Sequence, residues 1–161
     1  MTALTNSTTP KTMNKLIKFL ALAVVLAVFS GCASGPKFAQ MQSSIPPLGA
    51  DQGRIFIYRK GVMTGAAVQP EVKLNGDNVS VAKPGGFVYL DRTAGNYQIS
   101  TSTEVKRTLS IALEKGQTRY VRLNIAMGFF VGHVFPELVE TAVGEKEIKK
   151  CKFIGAAAPK Q

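Results

Sequence analysis

Tyr120-Val-Arg-Leu-Asn-Ile125 alternates strictly, with Val121, Leu123 and Ile125 on one side and Tyr120, Arg122 and Asn124 on the other. Successive side chains of a strand point to opposite faces, so this pattern predicts a half-buried β-strand. Similar pieces recur along the chain. Arg54-Ile-Phe-Ile-Tyr58 is apolar on both faces, as a central strand requires. Val72 to Val81 alternates about Asn75-Gly76, a two-residue hairpin signal because both turn positions want positive φ. Gly86-Phe-Val-Tyr-Leu90 follows Pro84-Gly85, Asn96 to Ser102 follows Ala94-Gly95, and Leu109, Ile111 and Leu113 line one face of a further strand. Short strands at a spacing of about 10 residues with Gly/Pro turns predict an all-β fold. The expected architecture over residues 53–153 is a small antiparallel β-sandwich, immunoglobulin-like or transthyretin-like, with a barrel as the alternative. Glu145 to Lys152 is the one helical pattern in this span.

The N-terminal segment follows different rules. Phe19 to Phe29 is an apolar run of eleven residues behind Lys15 and Lys18, and Ser30-Gly31-Cys32 closes it. A positive start, a short apolar region and small residues at a cut site make a secretory signal, expected over residues 1–31. The run falls short of the roughly 20 apolar residues that span a bilayer. Ser30-Gly31-Cys32 resembles the lipobox of bacterial lipoproteins, although Phe29 stands where that pattern more often has Leu. The resemblance implies cleavage between Gly31 and Cys32, acylation of the Cys32 thiol, and membrane attachment through the acyl chains. Each buried methylene contributes about 0.8 kcal/mol, so two or more chains hold where one does not. Ala33 rather than Asp follows the cysteine, which by the same resemblance favours the outer membrane over the inner. Met1 and Met13 are both open as the translational start. Residues 33–52, rich in Ser, Pro, Gly and Gln, are expected to form a flexible tether, and residues 154–161 a disordered tail.

Net charge is +10, and the signal segment carries three of the 20 basic residues and none of the 10 acidic ones. An exported, lipid-anchored chain does not ordinarily meet nucleic acid, so the excess of lysine and arginine points to an anionic membrane surface, an anionic envelope polymer or a solvated face, with another envelope protein as a further partner class. With Cys32 acylated, Cys151 has no intrachain partner and is expected to be buried and inert.

Several segments together resemble a family of bacterial lipoproteins catalogued as "domain of unknown function 2846". They are Gly53 to Arg59, Val72 to Gly76, Ala94 to Tyr97 with Ser100 to Glu104, Gly116 to Arg122, Gly128 to Gly132 and Lys149 to Lys152. Ala94-Gly95 stands where the family usually has Pro-Gly. The resemblance implies an envelope lipoprotein with a β-sandwich and imports no activity.

Catalytic and metal motifs are not evident. The one histidine, His133, would have to serve any Ser/His/Asp or Cys/His arrangement, and no nucleophile-elbow, phosphate-loop or zinc-helix spacing is present. Glu137, Glu140, Glu145 and Glu147 could do acid/base work only if a cleft gathered them. No cofactor or metal is expected, and the leading expectation is a non-catalytic binding or structural module. The alternative is a small envelope hydrolase built on His133 and a nearby carboxylate. Two surfaces are candidates for a partner. One is the apolar segment Ile125 to Phe135, with Phe129, Phe130, His133 and Phe135. The other is basic, with Lys106, Arg107, Arg119 and Arg122 beside Tyr120.

Overall fold

The structure, a computed structural model, describes residues 32–126 and 132–155. The expected signal segment with Gly31, the Phe129-Phe130 pair and residues 156–161 of the tail lie outside these.

Nine strands of the described residues form two sheets. Their ranges are β1 Gln52–Tyr58, β2 Glu71–Leu74, β3 Asp77–Val81, β4 Gly86–Thr93, β5 Gly95–Ser102, β6 Lys106–Leu113, β7 Thr118–Ala126, β8 His133–Val139 and β9 Lys152–Phe153. One sheet has the order β8-β7-β1-β4-β9 and the other β3-β2-β5-β6. The molecule is therefore an all-β sandwich. Most neighbouring strands pair antiparallel, as expected, and two pairs do not: β1 runs parallel to β7, with Phe56 opposite Tyr120, and β4 runs parallel to β9. Both parallel partners arrive by long connections, which hairpin-linked strands do not need. At Asn75-Gly76 the expected hairpin forms, with φ of 52° and 98° at the two turn residues. Asn75 Oδ1 accepts the Gln98 N–H at 2.8 Å, which ties that turn to β5.

Alternation along the central strands builds two cores. Ile55 and Ile57 of β1, Val88 and Leu90 of β4, and Val121 and Leu123 of β7 face the four-stranded sheet. There they meet Val72, Leu74, Ile99, Ile111 and Leu113. The intervening residues Phe56, Tyr58, Phe87 and Tyr120 point the other way and are buried too. Two short helices cover that outer face: α1, Phe38–Met41, followed by a 3-10 turn at Gln42–Ser44, and α2, Thr141–Ile148. Phe38 meets Phe56 and Phe87 edge-on, with ring centroids 5.7 and 5.5 Å apart, while Phe56 stacks on Tyr120 at 5.2 Å. Offset and edge-to-face rings of this kind add roughly 0.5–1.5 kcal/mol per pair beyond their buried area.

Three expectations change as a result. The flexible tether over residues 33–52 is corrected, since Ala33 and Phe38 are buried and the segment pairs with the chain end. Phe38 N–H donates to Cys151 O at 3.0 Å and Phe153 N–H to Pro36 O at 2.8 Å. The tail begins later than residue 154, because Ile154 N–H donates to Phe87 O at 3.1 Å. The C-terminal helix lies at Thr141–Ile148 rather than Glu145–Lys152. Its position follows from Gly144, where a Cβ would overlap the Tyr120 side chain, so α2 sits closer to the sheet than any other residue would permit.

Phe38→Ala and Leu123→Ala should both be strongly destabilising in urea unfolding, by roughly 3–5 and 2–5 kcal/mol. If residues 33–52 were a tether, Phe38→Ala would change stability by no more than about 0.5 kcal/mol.

Candidate functional site

At the end of β1 the outer face turns polar. The register sets Tyr58 opposite Arg122 of β7, and Arg122 opposite Glu137 of β8. Glu147 reaches down onto them from α2. Tyr58 Oη donates to Glu147 Oε2 at 2.7 Å, and Arg122 Nη1 donates to both Glu147 oxygens at 3.1 Å. Arg122 Nη2 donates to Glu137 Oε2 at 2.8 Å, an oxygen that also accepts from Asn124 Nδ2. Lys60 Nζ lies 3.4 Å from Glu147 Oε1. Two cations thus face two carboxylates, and the network is close to neutral. Burial opposes ionisation of Glu147, but the bonds from Tyr58 and Arg122 outweigh it and hold the carboxyl below its usual range. The Arg122 bond likewise lowers Glu137. Burial, then the Glu147 carboxylate, keeps the Tyr58 phenol protonated far above its ordinary range.

Beside this network lies a buried cation. Arg59 is 2% exposed and donates to three backbone carbonyls: Val68 O at 2.6 Å, Ala82 O at 2.7 Å and Gly65 O at 2.8 Å. Its Nε has no partner among the described residues, and burial lowers its pKa. Hydrogen bonds to a charged group are worth about 1.5–3 kcal/mol each, so this guanidinium holds the connection between β1 and β2 against the sheet. Cys151 is packed alongside, its Sγ donating to Arg59 O at 3.7 Å and Glu147 O at 3.8 Å. Burial pushes the thiol up to about 11, so it is a protonated, unreactive group at neutral pH. The expectation that Cys151 is buried agrees with its 1% exposure.

Between the start of the 60–70 connection and α2 opens a cleft of 660 Å³. Val62, Ala142 and Val143 line it with apolar surface, and Lys60, Lys146 and Lys150 line it with charge. Concave apolar surface with a few convergent charges is what a ligand or lipid site requires. Sequence reasoning missed this cleft. Lys60 and Lys146 are far apart in the chain, and only the packing of α2 on β7 brings them together.

The candidate residues chosen from sequence are dispersed. Arg122 is corrected from an open basic surface to the centre of the ion-pair network, because α2 covers its face of β7. Arg119 falls on the opposite face by alternation and donates Nε to Ala112 O at 3.1 Å. Arg107 is exposed on β6, in the other sheet. Tyr120, expected outward beside them, is buried under α2. His133 and Phe135 are partly buried on β8. His133 Nδ1 is 3.2 Å from Thr103 Oγ1, and Nε2 is 3.6 Å from a Glu104 carboxylate oxygen. Cys32 is exposed, and the next residue, Ala33, is buried with its N–H donating to Pro84 O at 3.1 Å. Among the described residues no group of three or more His, Cys, Asp or Glu side chains could hold a metal, and no helix is long and apolar enough to cross a membrane.

A family model described as "Protein of unknown function (DUF2846)" matches residues 49–134. That range holds β1 to β7 and ends within β8, so the α2 wall of the cleft lies beyond it. No curated protein and no solved structure matches the chain.

Carboxyls held below their unfolded pKa give stability that is complete above the ordinary Glu range, about pH 4 to 5, and that is lost as pH falls through the lower folded values. Acid titration should therefore lower the melting temperature below about pH 5, and Glu147→Gln should flatten that slope. An unchanged slope in Glu147→Gln would place the acid-sensitive group elsewhere.

Proposed function

The chain belongs to the DUF2846 family over residues 49–134, and from that premise we propose that it is a lipoprotein of a bacterial envelope. In this reading its β-sandwich is a non-catalytic binding or structural module, held at the periplasmic face of the outer membrane. The observation that carries the reading is where the folded unit begins. The compact domain starts at Cys32, the residue that the lipobox resemblance marks for acylation, and that cysteine is exposed. The exposed thiol is open to acyl transfer, and a signal cut at Gly31–Cys32 would leave this domain whole with a new amine at Cys32. The module's contacts in this reading are the bilayer, through the acyl chains, and an envelope protein or anionic polymer.

Cys32→Ala should abolish incorporation of a labelled fatty acid and leave unprocessed precursor in the inner membrane. Label still entering the Cys32→Ala protein would defeat the lipoprotein reading.

One observation favours a second reading, a small envelope hydrolase. Thr103, His133 and Glu104 place a hydroxyl, an imidazole and a carboxylate in succession, the elements of nucleophilic catalysis. Incubation with peptidoglycan fragments and phospholipids, comparing the natural protein with His133→Ala, separates the two. Product release that His133→Ala abolishes would favour the hydrolase; no release from either protein favours the binding module.

A further inference from the structure

We infer that the domain does not hang free of its membrane but rests on it, through the end that carries the 60–63 loop, the Lys83-Pro84-Gly85 turn and the cleft beneath α2. The inference rests on the lipoprotein reading above, since it takes Cys32 as the anchor. It begins from the bond between Ala33 N–H and Pro84 O, with Ala33 only 5% exposed. Consecutive Cα atoms are about 3.8 Å apart, so Cys32 cannot leave the Pro84 turn and its acyl chains must depart there. Burial of Ala33 and Phe38 removes the slack that a tether would supply. Whatever surrounds that turn is then carried to the level of the lipid headgroups.

What surrounds it suits a lipid interface. A Cβ at Gly61 would lie 3.5 Å from the Gly85 Cα, so the 60–63 loop abuts the anchoring turn. That loop exposes Val62 at 45% and Met63 at 81%. Val143 lies with Val62 in the cleft, and Val81 shares a cavity with Ser34, Gly35 and Lys83 next to the anchor. Four of the six large exposed apolar side chains among the described residues therefore gather at this end. Lys60, Lys83, Lys146 and Lys150 accompany them, and the one carboxylate lining the cleft, Glu147, is already bonded to Arg122, Tyr58 and Lys60. Apolar tips that enter the acyl boundary, with lysine stems lying along them and ammonium groups at the phosphates, are the chemistry of interfacial attachment to anionic lipid. Met63, unbranched and flexible, suits an irregular lipid surface better than a rigid β-branched residue would. The opposite end differs: there Lys115 pairs with Asp51 beside the Ala94-Gly95 turn.

The test uses the full-length, processed protein reconstituted into vesicles of phosphatidylethanolamine and phosphatidylglycerol. Met63→Cys and Ala94→Cys, each carrying a bimane fluorophore, report the two ends of β4, which are roughly 25 Å apart for eight residues. Both positions are exposed, so neither change disturbs the core, and Cys151 is buried away from the label. With brominated acyl chains in the lipid, the Met63 probe should lose at least half its emission and the Ala94 probe should be unchanged. Quenching at Met63 should weaken in phosphatidylcholine vesicles or in the triple variant Lys83→Gln, Lys146→Gln and Lys150→Gln. Equal, weak quenching at both positions would overturn the inference, and so would a Met63 probe shielded from both water-soluble and lipid quenchers, which would mean a protein partner. The mass of the Cys32 adduct is read separately. An acylated protein without Met63 quenching sinks the docking and leaves the lipoprotein reading standing. A Cys32 mass without an adduct, together with Met63 quenching in Cys32→Ser protein added to preformed vesicles, does the reverse.

Discussion

The five-stranded sheet has no polar face at its centre, and most of the architecture answers that constraint. β1 presents Ile55 and Ile57 to one side and Phe56 and Tyr58 to the other, and all four are buried. Burying a large apolar side chain is worth about 1.5–3 kcal/mol, so neither face can be left to water. The four-stranded sheet covers one face. The other is closed, among the described residues, by two chain segments outside the sheets, α1 from the N-terminal side and α2 with Cys151 from the C-terminal side. Those segments bond to each other through Phe38 and Phe153, so the cover is a single piece.

Polar groups at the margin of that cover are handled in two ways. Arg122 is balanced by two carboxylates, one from the neighbouring strand and one from the helix, which fixes the position of α2 as well as its contact with Tyr120. Arg59 takes carbonyls instead, two from the connection to β2, at Gly65 and Val68, and one after β3, at Ala82. A buried guanidinium without its hydrogen bonds would be costly. Packing the loop round it gives both terminal amino groups carbonyl partners and presents Val62 and Met63 outward. The cleft exists because these two devices stand side by side.

Covering the outer face also fixes where the N-terminal segment meets the domain. An N-terminal segment that closes a core cannot act as a leash, and the cysteine ahead of it inherits a fixed place beside the Pro84 turn. In the lipoprotein reading this turns an anchoring reaction into an orienting one. The orientation is read from the fold rather than from any binding motif.

The sequence by itself determined β1 to β7, the central position of β1 and the Asn75-Gly76 turn, because period-two alternation and positive-φ turn residues are local properties. It also showed that Val121 and Leu123 face the main core. It misplaced Tyr120 and Arg122, since an outward position on a strand reads as solvent unless the covering helix is known, and Glu147 lies 25 residues further on. Phe38 looked like part of a tether because a helix of four residues has no period to detect and its neighbours are small and polar. Which strands run parallel, which cations meet which carboxylates, and the assembly of the lysine-rimmed cleft were decided only in the tertiary structure. Each depends on contacts between residues far apart in the chain, whose pairing is chosen by the total burial of both sheet faces and not by any local preference.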